Sequence, residues 1–442
     1  MKNRLFILAD DLTGALDSGV QFAKKGIDVL VFPSQEAWEK HVNQDSGVVV
    51  INTNTRHASP EEARAAVVAA AGAFTHGIES HGIESDCSFF YKKTDSCLRG
   101  NIGAELEALL YATKRARLPF VPAFPKLKRT TVKGYQYLDG TPIHKSSMAG
   151  DPLNPITESF IPGIIGKQSA IPVRLLGIAE PNSQIPEAQN PREILVFDAD
   201  RYDDLRNAAH LLWEKNLLKV SAGCAGFAEA LIHTLPLEKS QTHNSFEPMD
   251  KLPILIISGS LHPVSIEQVK VAQEENVSGF ALPGDRILEP GWLESAEAET
   301  LSAECGQELL KKGIAILGTQ ASMGISLRSS PRSSLRATEA VFQGSAKDIS
   351  RALGEMARKI REKTGPFHLV IFGGDTLLGI IKTFHYNCLR PLVETQPGIV
   401  LAKAEPLAEE KGFLVTKSGA FGDKNLIPRL ADFFNKDFFN GE

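Results

Sequence analysis

One pattern runs the length of the chain and limits what it can become. A short apolar run ends abruptly in a polar or glycine-bearing loop, and the loop opens into a stretch whose apolar residues have helical spacing. It occurs at Leu5 to Ala9 before ADDLTGALDSG, at Gly47 to Ile51 before NTNTRHASPEEARA, and at Ser88 to Tyr91 before KKTDSCLRGN. It returns at Pro253 to Ile257 before SGSLHP and at His368 to Phe372 before GGDT. Short apolar runs alternating with helical patterns predict buried strands of parallel sheets joined by helices. Ligands of such sheets sit outside the carboxyl ends of the strands, where these loops lie. A chain of 442 residues exceeds one ordinary core. The polar, proline-bounded stretch Leu235 to Leu252 reads as an interdomain linker. The expectation is an α/β protein of two domains, residues 1–240 and 241–442. Each has a largely parallel sheet flanked by helices, with the active site in the interdomain cleft.

The first half gathers charge at its strand ends. Asp10, Asp11 and Thr13 follow the first run, Arg56 the second, and Lys92 to Asn101 the third. An acidic pair after a buried strand binds hydroxyls, coordinates magnesium or accepts a proton; its ordinary alternative is a helix cap. The guanidinium fork of Arg56 suits a carboxylate or a salt bridge to a neighbouring acid. In the third loop Lys93, Thr94, Asp95, Ser96, Arg99 and Asn101 offer cations, a carboxylate, hydroxyls and an amide, a set for an anionic ligand bearing hydroxyls. Ser59-Pro60-Glu61-Glu62 marks a helix start. Beyond Pro125 the α/β rhythm breaks into a hairpin, with a turn at Asp139-Gly140 and a long loop. Lys126, Lys128, Arg129 and Lys133 there read as a cover over an anionic ligand or, by default, as a solvated face.

The second half gathers glycine instead. Ser258-Gly259-Ser260, Gly373-Gly374-Asp375-Thr376 and Ser418 to Gly422, with Gly419 and Gly422, occupy equivalent strand ends. Glycines let backbone N–H groups approach phosphates, and three such loops in one domain point to a nucleotide site. Neither GxxxxGK[ST] nor GxGxxG after a strand is present. A long amphipathic helix is expected to open at Ser345.

Composition narrows the function. A formal net charge of −5 gives no support to nucleic-acid binding. The cysteines, Cys87, Cys97, Cys224, Cys305 and Cys388, are odd in number and form no CxxC pair. That argues against a disulfide framework or a structural zinc site. The N-terminal apolar run is too short for a signal sequence, and no run is long enough to span a bilayer; a cytoplasmic protein without a membrane partner is expected. A homodimer stays open.

Together ADDLTGA (Ala9 to Ala15), NTNTR (Asn52 to Arg56), KTDSCLRGNIGAELEA (Lys93 to Ala108), GGDT and KSGAFG (Lys417 to Gly422) resemble the four-carbon acid sugar kinase family. The resemblance implies an ATP-dependent kinase for threonate-, erythronate- or oxo-tetronate-type acids, with an N-terminal substrate domain and a C-terminal nucleotide domain. It implies that Asp10 or Asp11, Arg56 and Lys93 to Ser96 hold the acid, and that Ser258, GGDT and Gly419 hold ATP. The chain departs from the family at Cys97, where threonine is common, and at Leu261 and His262, where small polar residues are usual. Magnesium is expected to neutralise the phosphates. Asp375, Asp95 and Asp11 are the candidates for the base that takes the hydroxyl proton. The competing readings are a non-catalytic sensor of sugar acid and nucleotide, and a nucleotide-independent lyase or epimerase.

Overall fold

The computed structural model describes residues 3–41, 46–80, 88–150, 154–179, 184–240, 250–319, 321–323, 339–405 and 412–435. The chain divides into two compact units, Met1–His243 and Asn244–Glu442. Residues 241–249 of the expected linker lie outside the described residues.

Unit 1 begins with β1 (Arg4–Ala9), α1 (Leu12–Ala23), β2 (Val29–Phe32), α2 (Gln35–Glu39), β3 (Val48–Asn52), α3 (Pro60–Ser80), β4 (Ser88–Lys93), α4 (Ile102–Ala112) and β5 (Arg117–Val121). The short strands β6 (Arg129–Val132), β7 (Tyr135–Leu138) and β8 (Thr141–Pro142) form a separate antiparallel sheet. Then come α5 (Ile161–Gly166), β9 (Val173–Leu176), β10 (Glu193–Phe197), α6 (Tyr202–Glu214), β11 (Val220–Gly223) and α7 (Ala225–Leu231). The main-sheet strands run in the order β2-β3-β1-β4-β11-β5-β10-β9, and every pairing is parallel. Leu5 to Ala9 and Val48 to Ile51 are buried, as expected of strands covered on both faces. Chain leaving β1 turns one way, through α1 to β2; chain leaving β4 turns the other way, through α4 to β5. The carboxyl ends of β1 and β4 therefore flank a topological switch point, the usual ligand position in open α/β sheets.

Unit 2 comprises β12 (Ile254–Ser258), α8 (Pro263–Glu274), β13 (Ser278–Leu282), α9 (Ala296–Lys312), β14 (Ile314–Thr319), α10 (Glu339–Thr364), β15 (His368–Phe372), α11 (Gly374–Thr383), β16 (Cys388–Gln396), β17 (Ile399–Glu405), β18 (Leu414–Lys417) and α12 (Leu426–Asn435). Its order is β13-β14-β12-β15-β18-β17-β16. The pairings are parallel except at β17, antiparallel to both neighbours. Ile256, Val370, Phe372, Leu401 and Val415 join Leu426, Leu430 and Phe434 of α12 in one core. Here β12 and β15 are the neighbours whose chains leave in opposite directions, which makes a second switch point.

Local chemistry explains most helix starts. Ser59 accepts a hydrogen bond from the Glu62 N–H at 3.3 Å, and Glu62 accepts one from the Ser59 N–H at 2.8 Å, the reciprocal capping box. Helix α10 starts before the expected Ser345, at Glu339, because Glu339, Ala340 and Gln343 are good helix formers that extend it. Among the described residues no helix is long and apolar enough to cross a membrane.

Candidate functional site

The loops after β1, β3 and β4 converge because those strands are adjacent and parallel. Asp11 caps α1 by accepting from the Gly14 N–H at 2.9 Å and also takes the Thr13 hydroxyl at 2.7 Å. Arg56 donates through Nε and Nη2 to Asp10 (2.8 and 3.0 Å) and through Nη1 and Nη2 to Asp11 (2.8 Å each). One guanidinium thus holds both carboxylates, with Asp95 3.8 Å away. Asp95 is clamped by Arg99 Nε and Nη2, each at 2.9 Å, and by the Cys97 and Arg99 N–H groups.

Burial alone would raise the Asp10 carboxyl, but Arg56, Lys92 and Lys93 outweigh it and hold Asp10 below the usual range. Burial acts the same way on Asp95, and Arg99, Arg56 and Arg129 hold it well below. Both carboxylates are therefore ionised hydrogen-bond acceptors at neutral pH.

The Lys93 ammonium is buried beside Gly14 and donates to the Thr94 carbonyl at 2.9 Å. It forms no ion pair among the described residues, which leaves a buried cation facing the first turn of α1. Thr94 and Asn101 are committed to the scaffold. Thr94 donates to the Gly223 carbonyl, and the Asn101 amide joins the Thr55 and Ala58 carbonyls. Ser96 accepts from Arg129. Next to Arg99 and Gly100 opens a cavity of about 240 Å3, closed by Asn154 to Glu158, Ile164, Lys167 and Gln168; none of Asp10, Asp11, Arg56 and Lys93 lines it.

Several residues behind this cluster escaped the sequence reading. Arg129, read as solvated, is buried. Lys92 is fully buried 3.2 Å from Glu105, but gives its hydrogen bonds to the Leu8 and Lys93 carbonyls. The pair is held by charge, and Glu105 takes the Thr55 hydroxyl. Burial, partly offset by Lys92, raises the Glu105 carboxyl. The signal was there: Glu105 interrupts the apolar stripe of Ile102, Leu106 and Leu109. Nothing in the run Lys126 to Arg129 separates Arg129 from its exposed neighbours.

In unit 2 the glycine loops sit at the second switch point. Gly373 has φ +106° and caps α11, a backbone angle that L side chains rarely adopt; its N–H donates to the Lys417 carbonyl at 3.0 Å. A side chain at Gly419 would come within 2.5 Å of the Ser260 hydroxyl, so the Ser260 and Gly419 loops touch. The Ser258 hydroxyl is buried and has no hydrogen-bond partner among the described residues. His262 accepts the Val264 N–H at 3.2 Å and so caps α8. Asp375 is exposed on the first turn of α11 and engages no partner among the described residues. Lys417 is buried over the Phe372 ring, and burial lowers its ammonium to about 7.

Residues 5–231 match the model of a sugar-binding N-terminal domain, and residues 255–427 that of a nucleotide-binding C-terminal domain. The chain belongs to the four-carbon acid sugar kinase family. This family member is 28% identical to a D-threonate kinase of Salmonella typhimurium, with 96% of each chain covered. It is 26% identical to a D-erythronate kinase of Heliobacterium modesticaldum, covering 98% of this chain and 97% of the relative. It is 25% identical to a 3-oxo-tetronate kinase of Pseudomonas fluorescens, at 97% and 95% coverage. Its fold is shared with a Haemophilus influenzae protein (TM-score 0.64, 20% identity, 97% and 100% covered) and a Salmonella typhimurium LT2 protein (TM-score 0.69, 20% identity, 97% and 98% covered).

Proposed function

We propose that the protein transfers the γ-phosphate of ATP, with magnesium, to a hydroxyl of a four-carbon sugar acid of the threonate, erythronate or 3-oxo-tetronate type. The observation that carries this reading is the contrast between the two switch points. One is built of buried charged side chains and holds a cation, Lys93, that has no ion-pair partner among the described residues. The other is built of glycine backbone around the Ser258 hydroxyl, which has no hydrogen-bond partner among the described residues. The first suits a small hydroxylated anion and the second a phosphate chain.

Lys93 takes the carboxylate of the acid. Arg56, already occupied by Asp10 and Asp11, aims those two carboxylates as acceptors for substrate hydroxyls. Of the three candidate bases, Asp11 is filled by Arg56, Thr13 and the Gly14 N–H, and Asp95 by Arg99. Their oxygens are already taken up by these donors, whereas a base needs one within reach of the hydroxyl proton. Asp375, exposed at a helix start, has lone pairs available for the attacking hydroxyl and is the base. Among the described residues no group of three or more His, Cys, Asp or Glu side chains converges into a metal cage. Magnesium bound with the nucleotide would neutralise phosphate charge during transfer.

The test is ADP release by the purified protein with ATP and magnesium against a panel of four-carbon sugar acids, each with a no-acceptor control. Acceptor-dependent release from one acid establishes the reaction and names the substrate. Absence of ATP binding by calorimetry overturns it.

A further inference from the structure

The loop after β18 owes its shape to a buried ammonium that the proposed reaction does not use. Lys417 Nζ donates to Ser265 Oγ at 2.9 Å, to Gln268 Oε1 at 2.6 Å and to the Gly419 carbonyl at 3.3 Å. Both side-chain partners stand on α8, and both also reach the loop. Ser265 Oγ donates to the Gly419 carbonyl at 2.9 Å. Gln268 Nε2 donates to the carbonyls of Phe421 and Asp423, at 3.1 and 2.9 Å. Three carbonyls of the loop are thereby drawn onto one helix. The N–H groups of Gly419, Ala420 and Gly422 have no acceptor among the described residues. The Lys417 carbonyl meanwhile takes the Gly373 N–H, so one residue joins two glycine loops, through its backbone and through its side chain.

A buried lysine without a carboxylate is costly to keep. Its three hydrogen bonds give that cost a purpose, because a glycine-rich loop has no side chains with which to hold its own shape. We propose that Lys417 is a positioning residue for the nucleotide: with Ser265 and Gln268 it turns the carbonyls of residues 419–423 inward, and so presents the Gly419, Ala420 and Gly422 N–H groups as a cradle for phosphate oxygens. Such arrays of free backbone N–H groups are anion sites. The inference rests on the reading of unit 2 as the nucleotide site.

Lys417→Met keeps the length and packing of the side chain and removes the ammonium. In the full chain, the dissociation constant for ATP by calorimetry and the KM for ATP are expected to rise roughly 10- to 100-fold, with the KM for the acid unchanged. Gln268→Met, which frees the Phe421 and Asp423 carbonyls, is expected to move ATP binding the same way by a smaller factor, and it carries the test if Lys417→Met fails to fold. Unaltered ATP affinity in a folded variant overturns the role of Lys417 while leaving the nucleotide site standing. A wild-type protein that binds no ATP overturns the nucleotide reading itself.

Discussion

Adjacent carboxylates repel, yet Asp10 and Asp11 sit together because one guanidinium answers both. Removing that guanidinium strips a buried Asp10 and a half-buried Asp11 of their shared ion-pair partner. Arg56→Met is therefore expected to destabilise the protein by about 3–5 kcal/mol, read as a shift in the urea midpoint. Lys93→Met should raise the KM for the acid and leave that for ATP alone, since Lys93 forms no ion pair among the described residues. Asp375→Asn is expected to lower kcat by roughly 10²- to 10⁴-fold with both KM values and the melting temperature near wild type. At this scale the sequence placed charged residues at strand ends, because charge directly after an apolar run is visible in one dimension. It left open whether Arg56 meets a substrate or a neighbouring acid, and did not reveal that Asn101 bonds the Thr55 and Ala58 carbonyls. Both facts depend on which strands become neighbours.

The parallel strands around the two switch points were legible as apolar runs between turn residues. The hairpin of β16 and β17 was not. Pro391 lies inside β16, its register slips between Pro391 and Val393, and Arg390, Glu394, Lys403 and Glu405 interrupt the apolar pattern. Proline and charge normally demote a strand, and here the pairing of β16 with β17 and of β17 with β18 overrides them. Strand β9, half-exposed along its length, was hidden for a similar reason. Close packing between helices left a clearer trace only in the structure. A side chain at Gly103, in the first turn of α4, would collide with the Ile165 carbonyl of α5. Since α5 and the segment before it wall the cavity beside Arg99, Gly103→Ala is expected to cost about 1–3 kcal/mol. Thermal melting of the variant against wild type measures it.

Across the whole molecule, stability carries a signature of His368. Its Nδ1 accepts the Phe413 N–H and its Nε2 donates to the Asp250 carbonyl, an arrangement open only to the neutral ring. Burial lowers its pKa to about 4. An unfolded histidine titrates near 6.5, so between these values the unfolded chain binds more protons than the folded one. The contribution is full above about pH 6.5 and is lost progressively as pH falls towards 4, about 3 kcal/mol in all. Urea midpoints at pH 7, 5.5 and 4.5 should trace that loss, and His368→Phe should flatten it.

The two units also repeat one strand order, β2-β3-β1-β4 in the first and β13-β14-β12-β15 in the second, yet they equip the shared position differently. In the function proposed above, one reads its ligand with side chains and the other with main chain. A side chain can be exchanged by a single codon change, whereas a main chain shaped by glycine tolerates almost no replacement. Mutational drift in a lineage built this way is channelled. On the proposed function, new acceptors are reached by point changes in the first half, while the phosphate donor stays fixed by the geometry of the second.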